Sequence, residues 1–138
     1  MKVRRVDTWV APLKDKPGNL AARLEALADA GVSLEFVLAR RAPDKPGTGV
    51  LFVTPIIGAA QCLAAEQAGF RKAKSLHALR IEGMDKKGEG GRMARALAKQ
   101  GLNLRGLSAA TIGKKFVAHI ALDTPAEVAK AVRVLRAL

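Results

Sequence analysis

The feature that most constrains the fold of this chain is that its sequence resembles itself. Slid by 70 residues without a gap, Asp15-Lys16-x-Gly18 falls on Asp85-Lys86-x-Gly88, and Ala26-Leu27-Ala28 on Ala96-Leu97-Ala98. In the same register Gly31 falls on Gly101, Leu34 on Leu104 and Thr54-Pro55 on Thr124-Pro125. Ala and Leu coincide readily by chance; two glycines and a Thr-Pro pair do so far less often. A period of this length marks two copies of one supersecondary unit, fused head to tail. The expected boundaries are residues 1–70 and 71–138. Modules this small bury little surface alone, so packing against each other or against a second chain is expected.

Each copy checks the reading of the other. In the first, residues 3–13 are β-rich, and Lys14-Asp15-Lys16-Pro17-Gly18 breaks the chain. From Asn19, Leu20, Leu24, Leu27 and Ala28 follow helical spacing, and Gly31 sits where a C′ glycine ends a helix. Residues 32–41 alternate as a half-buried strand does, with Val32, Leu34, Phe36 and Leu38 on one face. A turn over 42–47 leads to a strand ending at Thr54. Thr54 as N-cap and Pro55 at the first helical position predict a helix over 56–68. The second copy repeats the plan: strand 76–84, helix 88–100, strand 102–112, strand 115–122, and a last helix capped by Thr124-Pro125. The order β-α-β-β-α places the chain in the α+β class. It predicts two ferredoxin-like, βαββαβ-type units, each an antiparallel sheet with both helices on one face.

Each copy is one strand short of that arrangement, and the second lacks its own final strand. Residues 72–83 are expected to form one long shared strand, its first half closing the first sheet and its second half opening the next. Residues 2–13 occupy the equivalent place, so their beginning is expected to pair with the second copy.

Composition bounds the rest. Hydrophobic residues make up 49% of the chain and charged residues 26%, a globular balance. With four Phe, one Trp and no Tyr, the core rests on Leu, Val, Ile and Ala. Trp9 reads as a core or interface filler. No run of eighteen apolar residues exists, so neither a transmembrane helix nor a membrane partner is expected, and the basic start lacks the apolar core of a signal peptide. The single Cys62 excludes an internal disulfide, fits a reducing, cytoplasmic compartment, and reads as a small buried hydrophobe. The net charge of +12 is uneven. Residues 1–69 hold 9 basic and 7 acidic side chains, and residues 70–138 hold 15 and 5. Such a field attracts anionic partners.

Asp15-Lys16-Pro17-Gly18-Asn19-Leu20, opening a helix straight after a strand, and Gly31-Val32-Ser33-Leu34, entering the next, resemble the ACT domain. The resemblance spans nearly the whole chain as two tandem repeats. It implies a regulatory module that binds an amino acid or another small metabolite, commonly near this loop and where modules meet. It also implies a homo-oligomer, most simply a dimer, acting on another protein. The ligand-binding residues it implies are Asp15, Lys16, Pro17, Gly18, Asn19, Leu20, Ser33 and Leu34, with Gly88 and Asn103 at the matching places of the second copy. A glycine lets a ligand approach the backbone, and the first turn of a helix offers N–H groups to a carboxylate. The same residues also suit a bare β-to-α turn, in which Asp15 and Asn19 satisfy local backbone groups. The second copy departs from the pattern: Lys87 replaces the proline, Gly90 replaces the leucine, and Glu89 stands at the helix start.

Nothing in the sequence points to catalysis. His77 and His119 stand alone in expected strands, no His/Cys/Asp/Glu cluster has metal-ligand spacing, and no nucleophile elbow appears. No cofactor, metal or catalytic residue is expected, and the reading is a non-catalytic sensor. The rivals are a nucleic-acid-binding protein using the basic second copy and a structural module whose pockets are lost. RNA-reading sheets need exposed stacking aromatics, and Phe116 is the one aromatic in the second copy's expected strands.

Overall fold

Both first helices start and stop on glycines with positive φ. In the computed structural model, which describes residues 1–138, Gly18 (φ +91°) precedes α1 (Asn19–Asp29) and Gly88 (φ +84°) precedes α3 (Glu89–Lys99). At the far end the Gly31 N–H donates to the Ala28 carbonyl (2.9 Å), and the Val32 N–H to Leu27 (3.0 Å). Gly101 and Leu102 make the same pair of bonds to Ala98 and Leu97 at 2.9 and 3.1 Å. This is the Schellman closure, which needs the left-handed residue that only glycine supplies at no steric cost. It also turns Val32 and Leu102 back toward the helix they follow.

The chain divides into two compact units. The first is Asp7–Ala73 and the second is Lys74–Leu138 together with Met1–Val6. The first unit holds β2 (Trp9–Lys14), α1, β3 (Phe36–Arg41), β4 (Thr48–Thr54), α2 (Gly58–Gln67) and β5 (Arg71–Lys72), in sheet order β3-β4-β2-β5. The second holds β1 (Lys2–Val6), β6 (His77–Met84), α3, β7 (Gly106–Ile112), β8 (Lys115–Leu122) and α4 (Pro125–Arg136), in order β1-β6-β8-β7. All pairings are antiparallel. The two-tandem-unit, ferredoxin-like architecture expected from the repeat is the one observed.

The strand exchange takes a different form from the long shared strand expected. β5 pairs with β2 and β1 pairs with β6, but each crossing is broken into two strands, at Asp7–Thr8 and over residues 73–76. The crossing backbone is claimed by other partners. One step beyond the Trp9–Lys72 pair, where the Ala73 N–H still donates to Thr8 (2.8 Å), the Thr54 hydroxyl donates to the Asp7 carbonyl (2.8 Å) and Arg105 to the Ser75 carbonyl (2.7 Å). A backbone group satisfied this way does not extend a ladder.

A second departure lies in the register of the repeat. Trp9 pairs with Val53 and Leu79 with Ile120. Trp9 and Leu79 are 70 residues apart; Val53 and Ile120 are 67 apart. The Asp15 N–H donates to the Gly47 carbonyl (3.0 Å) and Asp85 to Lys114 (2.8 Å), again with acceptors 67 apart. The turn after β3 is therefore three residues longer than the turn after β7, and the two Thr-Pro pairs are not structural equivalents. Thr124 is the N-cap of α4, in a full capping box with Glu127. Thr54 is the last residue of β4, buried, with its hydroxyl spent on Asp7. The expected Thr54 cap is thus absent, and α2 begins later, at Gly58. The Gln61 amide side chain accepts from the Ile57 N–H (2.9 Å) and donates to the Gly31 carbonyl (3.0 Å), tying the start of α2 to the end of α1. The strands expected from residues 32 and 102 start at Phe36 and Gly106, because Val32, Leu34, Leu102 and Leu104 serve the cores before the ladders begin.

In the second unit Leu79, Ile81, Ala118, Ile120 and Leu122 face Met93, Leu97, Val128, Ala131 and Leu135, and Val3 joins them from β1. The first unit is built around Trp9, Ala11, Leu27, Leu51, Val53, Ala65 and Phe70, with Cys62 half-buried against them. Trp9 is a core residue, as expected. No helix is long and apolar enough to cross a membrane.

The different duties of the two threonines are measurable. Thr124→Ala removes a capping oxygen and is expected to lower stability by about 0.5–2 kcal/mol, with Thr124→Ser close to the parent in urea unfolding. Thr54→Ser is expected to be costlier than Thr124→Ser, because the Thr54 methyl is buried and the Thr124 side chain is exposed.

Candidate functional site

The β-to-α loops of the two units share a backbone plan but are finished differently. In the first unit Asp15, Lys16, Pro17 and Gly18 form the exposed loop between β2 and α1; Asn19 and Leu20 are the first residues of α1. The Lys16 N–H donates to Lys14 (2.9 Å), and the Asn19 N–H to Lys16 (3.3 Å). The Asp15 carboxylate pairs with the Arg41 guanidinium at 2.8 Å, and no side chain caps the helix. Ser33 and Leu34 lie between α1 and β3, Ser33 exposed and Leu34 packed on the core. Gly88 caps α3, and Asn103 is exposed between α3 and β7.

A cavity of about 520 Å³ opens at the loop of the second unit, within the size range of small-molecule sites. One wall is the loop, Asp85, Lys86, Lys87 and Gly88, running into Glu89 and Gly90 of α3. The opposite wall is Ala109, Ala110 and Thr111 of β7, and the base is Met93 and Phe116. Of the ten expected ligand residues, Gly88 alone lines this cavity.

Position-by-position comparison of the loops explains the space. Gly90 stands where the first unit has Leu20, and a Cβ built on Gly90 meets nothing within 4 Å. Met93, buried, stands where the first unit has Arg23, whose guanidinium donates to the carbonyls of Ala68 and Pro12. Below the loop the first unit pairs Leu13 with Gly49; the second pairs Gly83 with Phe116. The large and small partners have changed strands. A Cβ on Gly83 would lie 2.8 Å from Phe116 Cε1, and one on Gly49 would lie 2.7 Å from the Arg40 carbonyl oxygen. Both glycines are required by a close approach, whereas Gly90 and Gly91 are not.

The electrostatics of the loop are also settled locally. Arg92 grips Glu89 with two hydrogen bonds, Nη2 at 2.6 Å and Nε at 3.3 Å. These bonds from Arg92 hold the Glu89 carboxyl below its usual range, aided by the charges of Arg92 and Lys86 and opposed by partial burial. The same contact raises Arg92. A carboxylate in the first turn also complements the helix dipole. The side chains free to meet a ligand are therefore Asp85, Lys86 and Lys87, over an apolar base. No group of three or more His, Cys, Asp or Glu could hold a metal ion.

Sequence reasoning passed over Met93, Phe116 and the β7 wall. The available signal was subtractive: Gly90 for Leu20, readable from the repeat as missing volume.

No family model matches the sequence, and no curated protein matches it. Solved structures do match. A Bacteroides thetaiotaomicron protein superposes with a TM-score of 0.79 at 15% identity, over 97% of this chain and 88% of that one. The ligand-free regulatory subunit of aspartate kinase from Thermus thermophilus gives 0.67 at 16% identity, over 99% and 96%. The allosteric aspartate kinase of Clostridium acetobutylicum gives 0.62 at 16% identity, over 97% of this chain and 32% of that longer one. At these identities the likeness is one of fold: two ferredoxin-like units in tandem.

Two outcomes test this account of the site. Gly91→Ala, in open space inside α3, is expected to raise stability by about 0.5–1 kcal/mol in thermal unfolding. Because the folded pKa of Glu89 lies below its unfolded value, its contribution is full above the unfolded value and fades as pH falls through the folded one. Glu89→Gln is therefore expected to lower stability at neutral pH and to flatten the acid limb below about pH 4.5.

Proposed function

We propose that this chain, a tandem pair of ACT-type units, is a non-catalytic small-molecule sensor whose ligand is an amino acid. The observation that carries the reading is the cavity at the β6–α3 loop. It combines paired charges of both signs, an open first helical turn and an apolar base of Met93 and Phe116. A carboxylate suits the ammonium groups and the α3 N–H groups, an ammonium suits Asp85, and a side chain suits the base. The second unit is then the ligand-binding one, and the first unit's loop, with Asp15 held by Arg41, serves as scaffold. The regulatory subunit among the structural matches supports a regulated protein partner.

Self-association into a dimer belongs to the same reading. β7 is the sheet edge without a charged residue, whereas β1, β3 and β5 carry Lys or Arg. Uncharged edges are the ones open to pairing. The nucleic-acid reading loses its aromatic, since Phe116 is buried in the core.

Calorimetry of the full chain against the twenty amino acids at millimolar concentration is the test, with Gly90→Leu beside it. Leucine is what the first unit tolerates at this position, so the variant is expected to fold and to bind at least about tenfold more weakly. Absence of binding to all twenty, or binding unchanged in Gly90→Leu, removes the reading.

A further inference from the structure

The excess positive charge of the second half of the chain is not explained by a zwitterionic ligand. Resting on the reading of the β6–α3 cavity as a metabolite site, we propose that its ligand carries net negative charge. The specific form is a small acid with a second anionic group, carboxylate or phosphate, beyond the one an ordinary amino acid has.

The inference follows from which charges at the cavity are already used. Glu89 is occupied by Arg92 at 2.6 Å, with its side chain 11% exposed. Arg92 itself does not line the cavity. Lining the cavity are two ammonium groups, Lys86 and Lys87, and two carboxylates, Asp85 and the Glu89 that Arg92 already neutralises, so one positive charge is left over. The N-terminal end of α3 adds positive potential on the same side. A ligand of zero net charge matches Asp85 and one lysine and leaves the other facing nothing. A net anion engages both. The comparison between units sharpens this, because the second lysine is particular to the cavity: Lys87 stands where the first unit, with no such charge, has Pro17. The surrounding unit supports it as well, since residues 1–6 and 74–138 hold 16 basic against 5 acidic side chains, a field that concentrates anions at a concave site.

The test is calorimetry on the full chain with probes matched in shape and differing in charge: glutamate against glutamine, aspartate against asparagine, and O-phosphoserine against serine. The acidic member of at least one pair is expected to bind more tightly, and raising NaCl from about 50 to 500 mM is expected to weaken that member more than its neutral partner. Which pair responds separates carboxylate from phosphate. Lys86→Gln and Lys87→Gln are expected to lower acid affinity about two- to fivefold each, with little effect on the neutral member. Lys99→Gln, the same loss of charge outside the cavity, is the control and is expected to change nothing. All three lysines are exposed, and circular dichroism checks that each variant folds. Neutral members binding as well as or better than acids overturns the proposal and leaves the sensor reading standing. So does a loss in Lys99→Gln equal to that in Lys87→Gln, which would assign the preference to the overall field. Binding of none of the probes, nor of any of the twenty amino acids, removes both.

Discussion

Each sheet of this protein is completed by one short strand, and in the second unit that strand comes from the opposite end of the chain. β1 makes β6 an interior strand, and β5 does the same for β2. The consequence is largest in the second unit. Val3, from the far end of the sequence, is 4% exposed among core residues contributed by 79–135. Arg136 then donates to the Val3 carbonyl at 2.8 Å, so the last turn of α4 clamps the first strand. Closing contacts so distant in sequence carries a large entropic cost that only the completed core offsets. The second unit is thus a closed circuit of chain. Its loop between β6 and α3 is held at one end by β1 pairing and at the other by the backbone bond from the Arg92 N–H to Gly88 (3.0 Å) that starts α3. A loop gains its geometry from rigid elements on both sides.

Within that frame the two units illustrate how a duplicated plan diverges without losing its fold. The pairs Leu13–Gly49 and Gly83–Phe116 put one large and one small residue across the same point of the ladder. Either order fills the space, because packing responds to total volume more than to which strand supplies it. The order still matters to the surface above. With Phe116 on β8 and Gly83 on β6, the second unit has a flat aromatic base under its loop. In the first unit Leu13 on β2 takes that place, Leu20 stands exposed at the start of α1, and Arg23 bonds the carbonyls of Ala68 and Pro12.

Much of this was legible in the sequence, and the reasons are local. The Schellman glycines Gly31 and Gly101 and the cap glycines Gly18 and Gly88 are demands of backbone geometry, so they keep register and reveal the repeat. The capping box at Thr124 and Glu127 is equally local. What escaped depends on long-range partners. The match of Thr54-Pro55 to Thr124-Pro125 was a coincidence produced by three extra residues in the β3–β4 turn, and only the ladder exposes it. The strand break at Asp7–Thr8 is set by Thr54, 47 positions away in sequence. The cavity escaped for another reason: it is made by residues that are small, and a missing side chain leaves no motif.

The two glycines after Gly88 tie these points together. A glycine inside a helix costs roughly 0.5–1 kcal/mol relative to alanine, and α3 has two in its first turn. The fold gives no return for them, since nothing lies within 4 Å of a Cβ at either position and neither has positive φ. Gly49 and Gly83, by contrast, are required by neighbours already in place. Unreturned local cost of this kind concentrates where a site must stay open. In α3, Gly90 lines the cavity together with Lys86, Lys87 and Phe116, and Gly91 follows it outside the lining. No side chain caps α3, and Glu89 is held by Arg92. The first turn of α3 is therefore the least self-sufficient piece of a helix whose far end, through Met93 and Leu97, is locked into the core. A ligand bridging the loop and β7 would supply the contacts that this turn lacks.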